Sequence, residues 1–126
     1  MIILNKEPVT LCIEDEEVDQ INKILLDEIE DIKNASDIDK RAQAAMLGYY
    51  QGIYSGLNNC RFEPLSSQEL YTIRELANTE ISFLCDLLKS GTVSGTIIDQ
   101  ALPLLRSVVK KISVFFDASN IRIVSN

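Results

Sequence analysis

The 126-residue sequence contains no histidine and no tryptophan, and it has only five glycines, three prolines and three cysteines. The absence of histidine removes the commonest general base, the commonest transition-metal ligand and the usual side chain that titrates near neutral pH. Neither GxGxxG nor GxxxxGK[ST] occurs, so the sequence predicts no phosphate-binding loop. We therefore expect a protein that is not an enzyme and that holds no metal or cofactor.

The three cysteines, Cys12, Cys60 and Cys85, are odd in number and widely spaced. Because no CxxC pair is present, the sequence predicts neither a disulfide framework nor a zinc site. No apolar run approaches the roughly 18–20 residues that cross a bilayer. Residues 1–6 also do not resemble a secretion signal. These observations predict a cytoplasmic protein that does not bind a membrane.

Negative charge is concentrated in the first third of the chain. Residues 1–40 hold four Lys or Arg and twelve Asp or Glu, a net charge of −8, whereas residues 41–126 carry a net charge of +1. Contacts to nucleic-acid phosphates need lysine and arginine, so direct binding to nucleic acid is not expected. The acidic region instead suits a partner protein with a basic surface.

Apolar spacing predicts two helices in the first half of the chain. The first is predicted at Glu16–Lys33 with Asp15 as its N-cap, and the second at Ile38–Leu57 after a cap at Ser36. The apolar face of the first comprises Val18, Ile21, Leu25, Ile29 and Ile32. That of the second comprises Ile38, Ala42, Met46, Tyr49, Ile53 and Leu57.

Two further helices are predicted in the second half. The third begins at the capping box Ser66-x-x-Glu69 and ends near Lys89, because Gly91 stands where a left-handed residue normally follows a helix. The fourth begins near Thr96 and meets Pro103. Proline removes a helical hydrogen bond, so the sequence predicts a kink or a break there, or a helix that starts at the proline.

Short β-prone segments lie near both ends of the sequence. Ile2–Leu4 and Val9–Ile13 flank the turn-like Asn5–Pro8, and Ile121–Val124 alternates near the other end. A lone hairpin is marginal in water, so these segments should pair with each other or pack on helices. The overall prediction is a single domain over residues 1–126. It is mainly α and four-helix bundle-like, with a minor β element from the N- and C-terminal segments.

Three of the five glycines, Gly48, Gly52 and Gly56, lie four residues apart in the second predicted helix. We call them the glycine stripe. Each costs about 1 kcal/mol against alanine, so a close contact should compensate, either within the fold or across a dimer axis. The third helix is the first expected neighbour, and Gly56 is the weakest member because it could serve the helix end. Tyr50 and Tyr54 are predicted to lie either at an interface or at the edge of the core.

A set of carboxylates on the first predicted helix points away from its apolar stripe. It is either a docking surface for a basic partner or an ordinary solvated face. We name it the acidic face. Its members are Glu16, Asp19, Asp27, Glu30 and Asp31, and Glu14 and Glu17 are expected at its start.

The sequence thus predicts a non-enzymatic protein-binding module, such as an inhibitor, immunity or regulatory protein. Its predicted binding residues are the acidic face together with Gly48, Tyr50, Gly52 and Tyr54. One alternative is a homodimeric structural or assembly protein organised through Gly48 and Gly52. A second alternative is an acidic mimic of nucleic acid, which would compete with DNA or RNA for a basic binding protein.

Overall fold

Two short strands precede four helices in the computed structural model, which describes residues 1–6, 9–91 and 95–119. The predicted mainly helical, bundle-like fold is therefore confirmed. The elements in chain order are β1 (Ile2–Lys6), β2 (Val9–Ile13), α1 (Asp15–Asn34), α2 (Lys40–Leu57), α3 (Ser67–Ser90) and α4 (Gly95–Ser119).

The two strands form an antiparallel hairpin, in which Ile2 lies opposite Ile13. Because side chains alternate along a strand, Ile2, Leu11 and Ile13 are buried on one face, while Ile3 on the other face is 52% exposed. The predicted N-terminal hairpin is confirmed. The predicted third strand, Ile121–Val124, lies outside the described residues.

The core is built from the inner face of the hairpin and one side of each helix. Every residue of the apolar stripe predicted for α1 is buried. On α4 the buried apolar side chains include Leu105, Val108, Ile112, Phe115 and Phe116. Full burial of one such side chain contributes about 1.5–3 kcal/mol, so these two helices supply much of the stability of the fold.

Two helix starts differ from the sequence predictions. The N-cap of α1 is Glu14, not Asp15. The N-cap of α2 is Asp39, whose side chain accepts a hydrogen bond of 3.3 Å from the backbone N–H of Ala42. Ser36 does not cap α2, because residues 36–38 are bends that turn the chain between α1 and α2.

The start and end of α3 follow the prediction. The Ser66 hydroxyl accepts from the backbone N–H of Glu69 at 3.1 Å, and the Glu69 carboxylate accepts from the backbone N–H of Ser66 at 2.9 Å. Gly91 ends the helix in the left-handed region at φ 69°. This conformation explains the glycine, because other residues adopt it only with strain.

Helix α4 passes through Pro103 without a break and does not begin there. Buried residues lie on both sides of the proline: Ile98 and Leu102 precede it, and Leu105 follows it. Packing of this apolar face holds both segments in one helix and offsets the hydrogen bond that the proline removes.

The two halves of α2 differ in burial. Ile53 and Leu57 are buried, whereas Met46 and Tyr49 are 38% and 37% exposed and Ala42 is also exposed. The predicted apolar face of α2 is therefore wrong for the first half of the helix. Gln43, Leu47 and Tyr50 are partly buried instead, and Gln43 donates to the carbonyl of Ile32 on α1, so the side of this half that faces the protein lies one residue further along than the predicted face.

Candidate functional site

The acidic face lies on the outside of α1, opposite the buried stripe, and all five members are exposed. Helix α1 contains eight carboxylates and two lysines, a net charge of −6. None of the ion pairs found in residues 1–6, 9–91 and 95–119 includes a member of the acidic face. The favourably spaced Asp19 and Lys23 do not form one either. The exposed Lys23 lies one helical turn from both Asp19 and Asp27, so the surface is mainly negative with one lysine among its carboxylates.

The glycine stripe lies beneath the connection between α2 and α3. A Cβ atom at Gly56 would lie 2.7 Å from Leu65 Cδ2 and 3.1 Å from Arg61 Cζ. At Gly52 the nearest such atom is Arg61 Nη1 at 3.6 Å, and at Gly48 nothing lies within 4 Å. The expected ranking was wrong, since Gly56 is the tightest position and Gly48 is open.

Arg61 and Leu65, and not α3, provide the close contacts to Gly52 and Gly56. Arg61 Nη1 donates to the carbonyl of Gly52 at 2.9 Å and to Glu69 Oε2 at 2.8 Å. Its Nη2 donates to Glu69 Oε1 at 2.5 Å and to the carbonyl of Pro64 at 3.2 Å, and its Nε donates to the carbonyl of Glu63 at 3.0 Å. One guanidinium thus joins the last turns of α2, the connection and the first turn of α3.

This contact keeps both partners charged. The hydrogen bonds from Arg61 lower the pKa of the Glu69 carboxyl below its usual range, although burial acts to raise it. The same contact raises the pKa of Arg61. The small residues at positions 52 and 56 make room for this pair, so their compensation lies inside the fold.

The structure places Tyr50 and Tyr54 at the edge of the core, the second of the two predicted alternatives. Both are half-buried and pack against the buried cluster. Burial raises the pKa of the Tyr50 hydroxyl, and the nearby Glu28 adds to the effect. Of the residues predicted to bind a partner, only Gly48 and the acidic face present an open surface.

A second buried ion pair joins α1 to α4, and the sequence reasoning missed it. Lys111 Nζ donates to Glu17 Oε1 at 2.6 Å, and the backbone N–H of Glu14 donates to the same oxygen at 2.8 Å. Glu17 is only 2% exposed, so its expected place at the start of the acidic face was wrong. The spacing Glu14-x-x-Glu17, which resembles a capping box, was the one available signal.

The two oxygens of Glu17 differ in their contacts. Glu17 Oε2 is the only buried side-chain nitrogen or oxygen in the described part of the chain that has no hydrogen-bond partner. Burial alone raises the pKa of Glu17, but Lys111, the Glu14 backbone and the neighbouring Ser107 outweigh it, so the pKa lies below its usual range.

A cleft of about 800 Å³ lies between β2 and α4, on the same side as Lys111. We call it the β2 cleft. It is lined by Thr10, Leu11, Cys12, Glu14, Ser107, Lys110, Lys111, Val114 and Phe115. Burial raises the pKa of the Cys12 thiol, and the Glu14 carboxylate, which accepts from Cys12 Sγ at 3.5 Å, raises it further. The thiol is therefore not activated as a nucleophile.

The described residues contain no group of three or more Cys, Asp or Glu side chains arranged to hold a metal ion. Not one of their four helices is both long enough and apolar enough to cross a membrane.

The chain was also compared with known proteins. No protein family, no curated protein and no solved structure matches it. The features that bear on function are therefore those of the structure itself, chiefly the acidic face and the β2 cleft.

Proposed function

We propose that this protein is a non-enzymatic protein-binding module that docks a basic protein surface onto the acidic face of α1. The observation that carries the proposal is the row of five exposed carboxylates without an ion pair in the described part of the chain. The opposite side of α1 is fixed in the core, so the charges are held in a defined arrangement.

The charge balance of α1 distinguishes it from an ordinary solvated helix. Exposed helix faces commonly intersperse both signs of charge, which stabilise the helix at spacings of three and four residues. In α1 only Lys23 and Lys33 are basic. A surface of this kind attracts a basic partner over long range and speeds their encounter, most strongly at low salt.

An apolar side chain stands next to these charges. Leu26 is 50% exposed and lies one helical turn before Glu30. Interfaces gain most of their binding energy from a few well-covered side chains, while the surrounding charges set rate and specificity. Leu26 would supply such a contact within the acidic face. An inhibitor, immunity or regulatory protein fits this arrangement.

The test begins with a partner isolated from a native extract by cross-linking and then purified. Its affinity is measured at rising salt for the wild type and for a chain carrying Asp27→Asn, Glu30→Gln and Asp31→Asn. We expect the triple variant to bind at least about tenfold more weakly and with a smaller salt dependence. The matched control neutralises three exposed carboxylates elsewhere, Asp86, Asp99 and Asp117.

Equal affinity of the two variants, or no reproducible partner, would remove the proposal. Competition by duplex DNA for the same partner would favour the acidic-mimic alternative. The homodimer alternative has less support, because Gly52 lies beneath Arg61 and only Gly48 is open. Sedimentation of the wild type and of Gly48→Leu tests it directly.

A further inference from the structure

The exposed apolar line of α2 lies on the side of the helix that faces α3. Ala42, Met46 and Tyr49 follow each other at spacings of four and three residues, and all three are exposed. Gln43, one residue further along than Ala42, bonds α1 instead. Tyr49 gives the direction of the exposed line, because its hydroxyl shares a hydrogen bond of 2.8 Å with Thr72 of α3.

Helix α3 continues the opposite wall beyond Thr72. Leu76 and Phe83 stand at i+4 and i+11 from Thr72, so they lie on the same side of α3. Leu76 packs against the core, whereas Phe83 is 56% exposed. Helices α2 and α3 each pack on α1 but hardly on each other. They therefore leave a space between them beyond the contact of Tyr49 with Thr72.

Helix α1 forms the floor of this space. The charge of Glu28 reaches the Tyr50 hydroxyl of α2, and the charge of Asp27 reaches Glu80 of α3, so this part of α1 lies between the two helices. Ile24, one turn before Glu28, is half-buried. We call the space the α2–α3 groove. It is lined by Met46, Tyr49, Leu76, Phe83, Glu28 and Glu80.

The two carboxylates of the groove lack a counter-ion among the described residues. Glu28 and Glu80 are half-buried, and neither takes part in an ion pair of the described chain. The nearest basic side chains face elsewhere. Lys23 and Arg74 face α4, and Arg41 lies about 100° around α2 from the exposed line. The groove therefore combines apolar walls with negative charge, which a cation from another molecule would complement.

A helix suits this groove better than an extended chain. The walls and the floor are helices whose backbone groups are bonded internally, so they offer no strand edge. Recognition must therefore come from side chains, as it does when an amphipathic helix lies in an apolar groove. From Thr72 to Phe83 the α3 wall spans about 16 Å, which is about three turns of a bound helix.

We propose that the α2–α3 groove binds an amphipathic helix of a partner protein, in which lysine or arginine side chains flank an apolar stripe. The stripe covers Met46, Tyr49 and Phe83, and the flanking cations contact Glu28 and Glu80. This site rests on the proposed function in taking the partner to be basic, because the groove adjoins the acidic face on α1.

The experiment titrates the full chain with a capped peptide of about four helical turns. Its leucines follow the spacing i, i+3, i+4 and i+7, and lysines flank them. Two control peptides either replace the lysines by glutamate or spread the same leucines around the helix. We expect saturable binding of the first peptide and binding at least about tenfold weaker for each control.

Met46 reports directly whether the groove is occupied. The chain has two methionines, Met1 and Met46, so isotopic labelling of the methionine methyl groups gives one NMR signal for each. Met1 contacts Asp15 in the first turn of α1, away from the groove. The Met46 signal should shift when the peptide binds, and the Met1 signal should stay in place.

Variants of the exposed lining locate the site. Met46→Ser and Phe83→Ser should each weaken binding by about tenfold, because each removes an apolar contact. Phe62→Ser, at a fully exposed phenylalanine beside β1, is the matched control. Glu80→Gln should weaken binding by about threefold or more, with the exposed Asp117→Asn as its control.

Three outcomes would overturn the proposal. They are the absence of saturable binding, saturable binding that leaves the Met46 signal in place, and binding by Phe83→Ser as tight as that by Phe62→Ser. A Met46 signal that shifts with protein concentration alone, together with dimer formation, would assign the groove to a second copy instead.

The triple variant of the acidic face separates this site from the proposed function, and it too should bind the peptide more weakly. If only the triple variant binds weakly, and Met46→Ser and Phe83→Ser bind as the wild type does, the acidic face acts without the groove and this proposal is removed. If only the groove variants bind weakly, the groove alone takes the basic helix and the proposed function is wrong.

Discussion

The two buried carboxylates among the described residues occupy the same position in different helices. Glu17 and Glu69 each lie in the first helical turn, and each accepts a hydrogen bond from the backbone N–H three residues earlier. Each also contacts one cation. Arg61 bonds both oxygens of Glu69, whereas Lys111 bonds only one oxygen of Glu17 and leaves Oε2 without a partner.

The difference follows from the shape of the two cations. A planar guanidinium presents parallel N–H groups that match both carboxylate oxygens, whereas the three N–H groups of an ammonium diverge from one nitrogen and do not match both oxygens in this way. Arg61 has N–H groups left for three backbone carbonyls and thereby fixes the α2–α3 connection. Lys111 instead joins α4 to the first turn of α1.

The largest expected effect comes from removing the guanidinium. Arg61→Ala should destabilise the fold by about 3 kcal/mol, because it leaves Glu69 buried without a counter-ion and frees three carbonyls. Arg61→Lys should lie between this variant and the wild type. The measurement is urea unfolding, with Arg106→Ala as a control for an exposed arginine. If Arg61→Ala changed the free energy of unfolding as little as the control does, the Arg61–Glu69 pair would not be important for stability.

Removing Lys111 should destabilise the fold less than removing Arg61. Lys111→Met should destabilise by about 2 kcal/mol at pH 7, because the lysine is one-third exposed and its contact uses a single oxygen. The folded pKa of Glu17 lies below its unfolded value, so the pair stabilises the fold above about pH 4.3 and loses this effect as pH falls through the folded pKa. The Tm difference between wild type and variant should therefore shrink in acid. A constant difference would show that lost packing, and not charge, is responsible.

A methyl group added at Gly56, directly beneath Arg61, can be compared with one added at Gly48. A Cβ at Gly56 meets Leu65 and Arg61, so Gly56→Ala should destabilise by about 1 kcal/mol despite its better helix propensity. Gly48→Ala, in the same helix but with open space around it, should stabilise by up to about 1 kcal/mol. Thermal unfolding of the two variants measures both signs. Stabilisation by both variants would show that Arg61 and Leu65 yield to the added methyl.

A third partly buried carboxylate sharpens the comparison, because no cation binds it in the described ion pairs. Burial raises the pKa of Glu80, and the charge of Asp27 raises it further. Its folded pKa is therefore above its unfolded value, and ionisation destabilises the fold as pH rises. Glu80→Gln should stabilise the protein slightly at pH 7 and have no effect well below pH 4. Tm across this pH range tests the sign, with exposed Glu30→Gln as the control.

The sequence predicted the structure correctly where a feature depends on residues close together in the chain. The 3.6-residue spacing of α1 predicted every buried residue of its stripe, and the Ser66–Glu69 box and Gly91 predicted both ends of α3. These features depend on neighbours within a few residues. The N-terminal hairpin is also local, since β-prone residues flank a turn-like segment.

Features that depend on distant residues were not predictable in the same way. The first half of α2 has amphipathic spacing, yet nothing in Ala42 or Met46 reveals that its inward side lies one residue further along, at Gln43 and Leu47. Gly52 and Gly56 are covered by side chains from the connection between α2 and α3, and the geometry of such a connection does not follow from periodicity. Binding by the acidic face, the remaining predicted site, concerns a partner and stays a prediction.

The Glu17–Lys111 pair also has a consequence for the order of folding. Its residues are 94 positions apart, whereas Arg61 and Glu69 are separated by eight. Loop-closure entropy grows with separation, and distant contacts slow folding, so the α2–α3 pair can form early and the α1–α4 pair only late. A chain emerging from the ribosome carries Glu17 as a solvated carboxylate until α4 has been synthesised. Docking of α4 is thus the step that both buries Glu17 and supplies its cation.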